Sequence, residues 1–481
     1  MGRLQHLRDA LPTLADVHSI QYKSQRRKNI IPLHATLTAK HNLRIVALFR
    51  AIDESDSEIA RSQLRDDLKE LLEVKKRHEV EVLEKMRNDL ESRVLSPPAS
   101  IRLKKKCVGG REVVVFNKIR PSLMLFDRFV ALRLKRAFGI NASGRDQSLR
   151  VLHNTLLASS RAGTVRQGVI RLDIEKFYES IEHDELQRKL ANHAGVPNFV
   201  KEHVQQVMHA YRRVTGRSRG LPDGVPSSAT LAEIYLERFD FSMRHHPDVA
   251  LFVRYADDMV VVCEPERTAS LDRYVDELLT RDKLVRNATK STTLKHPDPS
   301  TTSFDFLGYK FIFEQGTSRL SAVDLSDAKT ARYMEGLRRL KAYADSIPCW
   351  ADQVAVDRYL ALDSYLFHAH ATANAGHGIR IVTGLAYSAR FMNGPLSKRR
   401  NFQGLLKSYR KELGSRWGAK IAKLEQGVPL SCACCGQLIH RAEAIATMSS
   451  DWAGEREIMH TKGAAHLDDE IHDWAKELLW D

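Results

Sequence analysis

The stretch LFVRYADDMVVVC, residues 251–263, sets two adjacent carboxylates, Asp257 and Asp258, between two runs of apolar, largely β-branched residues. Such runs predict a pair of strands joined by a tight polar turn, with the acids projecting from the turn. Two neighbouring carboxylates repel each other unless a cation neutralises them, and short acidic side chains suit hydrated Mg2+. A third acid has the same setting: GVIRLDIEKFY (168–178) reads as a strand, with Asp173 after its apolar part. Three carboxylates from two neighbouring strands can hold two Mg2+ ions across one phosphoryl-transfer site. One ion would activate an attacking hydroxyl and the other would stabilise the leaving pyrophosphate. Alone, an Asp-Asp pair is an ordinary solvated turn; the combination gives it chemical meaning.

Outward from this hairpin, short apolar runs alternate with helical stretches. REVVVFNKI (111–119) is strand-like, FDRFVALRLKRAF (126–138) amphipathic, and FDFLGYKFIF (304–313) reads as one further strand. Together they predict an α+β region with helices on one face of a sheet. Before it, residues 55–95 read as a long helix with a Ser55–Glu58 capping box and an apolar stripe of Leu64, Leu68, Leu71, Leu72, Leu83, Met86, Leu90 and Val94, stopped by Pro97 and Pro98. Beyond about 325 the pattern is helical again, through LSDAKTARYMEGLRRLKAYADSI and VDRYLALDSYLFHAHATANA. There is no internal repeat and no low-complexity tract.

The chain has 481 residues, 43% hydrophobic and 28% charged, which is globular composition and excludes a mainly disordered or collagen-like chain. No run of eighteen apolar residues occurs, and the start MGRLQHLRDALPTL lacks the apolar segment of a secretory signal, so a cytoplasmic protein with no membrane partner is expected. Lys and Arg number 75 against 60 Asp and Glu, a net charge of +15. That imbalance, with local clusters such as KKK at 104–106 and RRVTGRSR at 212–219, points to a polyanionic partner.

RLDIEKFYESIEHDEL, GLPDGVPSSATLAEIYL, YADD and FDFLGYKF stand in the order and spacing of the palm motifs of reverse transcriptases. The chain resembles the bacterial members of that family: group II intron, retron and defence-associated or unknown-group enzymes. The resemblance covers about residues 100–315 and implies a right-hand polymerase fold of fingers, palm with antiparallel sheet, and α-helical thumb. The expected division is a helical N-terminal extension (1–98), fingers and palm (99–322), thumb (323–428) and a small Cys/His tail (429–481).

By that resemblance Asp173, Asp257 and Asp258 are the catalytic, metal-binding triad, joined by the backbone carbonyl of Ile174. Tyr178 closes the sugar pocket, where a bulky ring would clash with a ribose 2′-hydroxyl and favour dNTPs. Gly220, Pro222, Gly224, Pro226 and Ser228 form the segment against template and incoming nucleotide, Gly224 on the nucleotide side and the others, with Tyr255, on the template and primer side. Lys290 lies near the leaving phosphates. IRLKKKCVGGREVVVF resembles the fingers hairpin, in which Arg111, joined by one of Lys104, Lys105 and Lys106, holds the triphosphate. Read alone, the lysines are a solvated charge run and Lys290 a surface residue.

The sequence departs from the family at Asp223, where intron enzymes carry Gln, and at Glu233, where Asn is usual. Acids near a nucleic-acid groove weaken ordinary template contacts. They invite a second reading, template-independent or protein-primed DNA synthesis. The Ala-Glu-Ile-Tyr-Leu wording (232–236) is closer to the defence-associated groups, which implies a dedicated, structured noncoding RNA template and a role in anti-phage defence. A third reading is a non-catalytic, maturase-like RNA-binding scaffold, but retention of all three acids opposes it. A homo-oligomer or a partner protein is left open. In the tail, Cys432 and Cys435 have the Cys-x-x-Cys spacing of a zinc knuckle, with His440, His460 and His466 as further ligands; reduced thiols without Zn2+ explain the cysteines equally well.

Overall fold

The computed structural model describes residues 11–17, 44–45, 47–48, 51–52, 55, 57–95, 100–108, 110–117, 121–140, 144–162, 167–294, 302–315, 319–346, 362, 366, 370–373, 380–383, 385, 388, 391–414, 430–431 and 438–439. A long helix, α1 (Glu58–Leu95), leads into a hairpin of β1 (Leu103–Val108) and β2 (Arg111–Phe116). Helices α2 (Pro121–Ala137) and α3 (Arg145–Ala162) precede strand β3 (Gly168–Asp173), which is followed by α4 (His183–Asn192), α5 (Asn198–Thr215) and α6 (Ser228–Arg244). Next come β4 (Val249–Tyr255), β5 (Asp258–Cys263), α7 (Thr268–Arg281) and β6 (Thr292–Leu294). A second sheet, β7 (Ser303–Phe306), β8 (Tyr309–Phe313) and β9 (Leu320–Leu325), leads to α8 (Asp327–Ser346). The remaining elements are β10 (His370–Ala373), β11 (Arg380–Thr383), α9 (Arg400–Gly414), β12 (Leu430–Ser431) and β13 (Leu438–Ile439).

The central sheet has the order β4-β5-β3-β6 and is antiparallel throughout. Its two inner strands, β3 and β5, are buried on both faces, which corrects the expectation of helices on one face only. Because side chains alternate across a strand, Ile170 and Leu172 of β3 and Met259, Val261 and Cys263 of β5 enter one core with α2, α4, α5, α6, α7 and the C-terminal half of α1. Val169, Val260 and Val262 enter the other, with α3, β7–β9, α8 and α9. Double burial explains why β5 is written as a continuous apolar run rather than an alternating one. A third core docks the β1–β2 hairpin, through Leu103, Val114 and Phe116, onto Val207 and Tyr211 of α5 and onto Val225.

Three local expectations change. The cap of α1 is Ser57, whose Oγ accepts from Ala60 N at 3.5 Å, because the helix starts two residues later than a Ser55 cap requires. FDFLGYKFIF is a hairpin, not one strand: Leu307 and Gly308 both have positive φ, 47° and 78°, the conformation of a two-residue turn matched to strand twist. Part of the segment read as wholly helical beyond residue 356 pairs instead as an antiparallel ladder, His370–Ala373 with Arg380–Thr383. The α8 reading agrees with the structure. The N-terminus of α9 is capped from a distance, the buried Asp324 accepting from Asn401 N at 2.8 Å and Phe402 N at 3.1 Å.

A buried polar tie fixes the loop before α6. Asp127 of α2 accepts from Ser227 N at 2.7 Å, Ser227 Oγ at 2.8 Å and His203 Nε2 at 2.8 Å. All three residues are fully buried. Deleting the acceptor leaves several donors unpaired in a dry core, each costing about 1–3 kcal/mol. Asp127→Ala should therefore lower the stability of the folded chain by about 3 kcal/mol, measured as a shift of the urea midpoint by circular dichroism.

Candidate active site

β3 and β5 pair so that Asp173 lies opposite Asp258 at the ends of both strands, while Tyr255 pairs with Asp258 across the β4–β5 turn. The turn is Ala256-Asp257, with Ala256 at φ 57°. The three predicted acids are therefore brought to one end of the sheet by strand register and one tight turn.

Each outer acid has partners that sequence reasoning did not name. Asp173 is nearly buried and accepts from Asn287 Nδ2 at 3.0 Å, and Lys290 Nζ stands 3.3 Å from its Oδ2. Lys290, expected near leaving phosphates, is thus paired with the first acid. Asp258 accepts from Arg171 Nε at 3.3 Å and from Leu307 N, in the β7–β8 turn, also at 3.3 Å. The signal for Arg171 was legible: it stands two residues before Asp173 on the same strand and so on the same face.

Burial pushes the Asp257 carboxyl above the usual carboxylate range, and the Asp173 charge pushes it further, against Lys290 and Arg171. Burial likewise raises Asp258, opposed by Arg171 and the Leu307 N–H and reinforced by Asp173. Mutual destabilisation of like charges is what a bound cation relieves. The donor set, carboxylate oxygens at an exposed strand end, fits a hard divalent ion. Lys290 already brings an ammonium to Asp173, a positive charge where an ion's charge would fall. As they stand, no three His, Cys, Asp or Glu side chains among the described residues converge tightly enough to ligate an ion together. Ile174 is buried and bridges to Arg286.

Tyr178 lies beside this turn, its hydroxyl pushed up to about 12 by burial and then by Glu233, Asp223 and Asp257. Tyr255 is exposed. In the loop before α6, Gly220, Pro222 and Ser228 are buried and Pro226 partly so, while Asp223 and Gly224 are at the surface. The buried residues shape the loop from within. Gly220, at φ 101°, donates to Ile181 O at 2.7 Å and accepts from His183 Nε2 at 2.7 Å. A side chain at Gly224 would meet Val115 Cγ1 at 2.4 Å, and Gly224 N donates to Val114 O at 3.0 Å. The close approach its glycine permits is therefore made to β2.

Strand register sets Lys104 opposite Val115 and Lys106 opposite Val113, so both exposed lysines share the hairpin face that meets Gly224. Lys105 points the other way and pairs with Glu112 at 2.9 Å. Arg111 pairs with Val108 in the same ladder. Cys432, Cys435 and His440 lie outside the described residues, as do His460 and His466. The short antiparallel pair Leu430–Ser431 with Leu438–Ile439 brackets the two cysteines.

The departures at Glu233 and Asp223 differ physically. Glu233 is paired to Arg254 by two bonds, at 2.5 and 3.1 Å, so its charge is met inside the protein. Among the described residues Asp223 has no such partner; burial and then Glu179 raise its carboxyl. Arg254 and Asp240 escaped the sequence reading, and Glu233 was read there without its partner, although a lone arginine within an apolar strand signals a buried partner.

The sign of the acid shifts sets a pH dependence. Asp257 and Asp258 bind protons more tightly in the folded chain than when unfolded, so the metal-free protein gains stability as pH falls through their raised values and loses it as pH rises. Asp257→Asn should raise the melting temperature of metal-free protein at pH 7 by about 2 °C. By differential scanning calorimetry the gain should shrink as pH falls toward the ordinary carboxylate value.

Residues 116–311 match the family described as reverse transcriptase (RNA-dependent DNA polymerase). Among curated proteins, none matches the chain's sequence. Among solved structures, apo telomerase from Candida tropicalis aligns at 12% identity and a TM-score of 0.37, covering 67% of this chain and 59% of that one. The same organism's telomerase in complex with a TWJ fragment of telomeric RNA aligns at 12% identity and a TM-score of 0.37, covering 79% and 64%. A form of the former truncated from its C-terminal domain aligns at 14% identity and a TM-score of 0.35, covering 47% and 54%. The chain thus spans less than two thirds of each telomerase. The match over 116–311, with its antiparallel sheet and flanking helices, gives this region the right-hand polymerase fold of a reverse transcriptase domain.

Proposed function

We propose that the chain extends a primer hydroxyl with dNTPs on an RNA template, using the acids at the end of β3 and the β4–β5 turn. The observation that carries this reading is the cross-strand pairing of Asp173 with Asp258, with Asp257 in the adjoining turn. Reverse transcriptase domains generally use Mg2+, and two ions held by Asp173, Asp257, Asp258 and the Ile174 carbonyl would supply charge stabilisation at the attacking and leaving oxygens. Asp173 and Asp257 orient that charge, and Tyr178 narrows the sugar pocket against a 2′-hydroxyl. Lys290, paired with Asp173 at 3.3 Å, is the cation that would serve the leaving pyrophosphate. Lys104, Lys106 and Arg111 on the β1–β2 hairpin bind the triphosphate as fixed cationic donors. Gly224 faces the incoming nucleotide, Asp223, Pro226 and Tyr255 flank template and primer, and Gly220, Pro222 and Ser228 hold the template and primer side in shape.

In this reading residues 99–322 are fingers and palm, 323–428 the thumb, 1–98 an extension and 429–481 a tail in which Zn2+ and free thiols remain alternatives. The template is a dedicated, structured noncoding RNA and the setting bacterial anti-phage defence, supported by the motif wording at 232–236. A cytoplasmic site accords with the finding that among the described residues no helix is long and apolar enough to cross a membrane. The net charge of +15 supports a nucleic-acid partner. Untemplated or protein-primed synthesis is the second reading. Internal pairing of Glu233 removes one of its two supports and leaves Asp223.

The test is labelled dNTP incorporation by purified protein with Mg2+, with and without its co-purifying RNA. RNA-dependent product should form and should fall by at least about 10³-fold in the Asp257→Ala, Asp258→Ala variant. Product that persists after RNA removal would favour the untemplated reading, and a protease-sensitive end would point to protein priming. Tight RNA binding with no product in any condition would leave the scaffold. On the same assay, Tyr178→Val should reduce the preference for dNTP over rNTP by about 10²-fold.

A further inference from the structure

Arg254 stands on β4, three residues before Asp257, with its side chain only 6% exposed. A guanidinium carries five N–H donors, and the structure gives all of them acceptors. Nε and Nη2 donate to Asp240 Oδ1 and Oδ2 at 2.7 and 2.6 Å. Nη2 and Nη1 donate to Glu233 Oε2 and Oε1 at 2.5 and 3.1 Å. The last Nη1 hydrogen goes to the backbone carbonyl of Ala256 at 3.1 Å. Two bidentate forks fix both the plane and the position of the group, which a lysine could not match.

Both acids belong to α6, seven residues apart and so on one face of the helix, and that helix begins directly after the Gly220–Ser227 loop. The contact to Ala256 falls on a residue at φ 57°, a left-handed conformation that is unfavourable for a residue with a side chain and persists only where its surroundings hold it. Ala256 is followed at once by Asp257 and Asp258. The charge pattern agrees: desolvation disfavours the Arg254 cation, but the Asp240 and Glu233 carboxylates override it and hold the group charged.

We propose that Arg254 is a positioning residue for the acid turn. It ties the Ala256 carbonyl to α6, so that the Asp257–Asp258 turn and the loop leading into α6 are held as one unit and the acids meet their cation at a fixed spacing. Glu233, the departure from the family pattern, is the counter-charge of this clamp and not a repulsive group facing the template. The catalytic consequence rests on the polymerase reading above; the mechanical one does not.

The test compares wild-type full-length chain with Arg254→Lys and Glu233→Gln by three measurements. These are hydrogen–deuterium exchange of peptides spanning 254–259 without metal, Mn2+ affinity by electron paramagnetic resonance, and kcat and KM for dNTP. Arg254→Lys should exchange about tenfold faster across the turn and bind Mn2+ about 10–100-fold more weakly. Its kcat should fall about 10²-fold while KM stays within about threefold. Glu233→Gln, which keeps the shape and removes one charge, should move all three readings in the same direction by less. Unchanged exchange and Mn2+ affinity in a folded Arg254→Lys protein would overturn the proposal. If that variant fails to fold, Glu233→Gln decides, and an unchanged turn there overturns it equally. Wild-type protein that incorporates no dNTP while the variants still loosen the turn and weaken Mn2+ binding would refute the polymerase reading and support the clamp.

Discussion

Asp173 and Asp258 face each other where β3 and β5 meet the turn that carries Asp257, and the Asp173 charge, with burial, makes Asp257 and Asp258 harder to ionise. Such an arrangement is unfavourable for the isolated fold and is maintained only by partners supplied from elsewhere in the chain. Arg171 lies within the same strand, Lys290 and Asn287 just before β6, and the Leu307 N–H in a separate sheet. The site is thus assembled from four segments whose common requirement is to tolerate concentrated negative charge. The fold itself carries the electrostatic cost of that concentration.

The same logic orders the surrounding architecture. The loop before α6 has its polar anchors inside: Ser227 on Asp127, Gly220 on Ile181 and His183, and Gly224 against β2. The β1–β2 hairpin, the loop before α6 and the acid turn therefore share a continuous path of hydrogen bonds and close backbone contacts, with α6 as its spine. None of these contacts needs substrate to form.

Much of this was legible in the residues. The two apolar runs around YADD, the strand ending at Asp173 and the glycine-rich loop could be read because their signals are local: alternation, turn chemistry and adjacent charges. Double burial of the sheet could not be read, since it depends on where β7–β9 and α9 return, and a run such as MVVVC fits a buried strand without saying what covers it. FDFLGYKFIF concealed its turn because Leu307 is an uncommon residue at positive φ. Arg254, Glu233 and Asp240 lie up to 21 residues apart in sequence, and only folding makes them one group. Read singly, Glu233 looked like a liability for template binding; its meaning changes once its partner is seen.

The doubly buried sheet has a consequence for how this domain can vary over generations. Moving β3 or β5 by a single residue would send Ile170, Leu172, Met259 and Val261 into the core now filled by Val169, Val260 and Val262, and would turn Asp173 to the opposite side. Insertions and deletions inside these strands therefore destroy the packing of both cores and the pairing of the acids in one event. The same constraint reaches the short connections that carry partners of the acids, the Ala256-Asp257 turn, residues 287–290 and the Leu307-Gly308 turn, so changes of length are left to segments that touch neither the cores nor the acids.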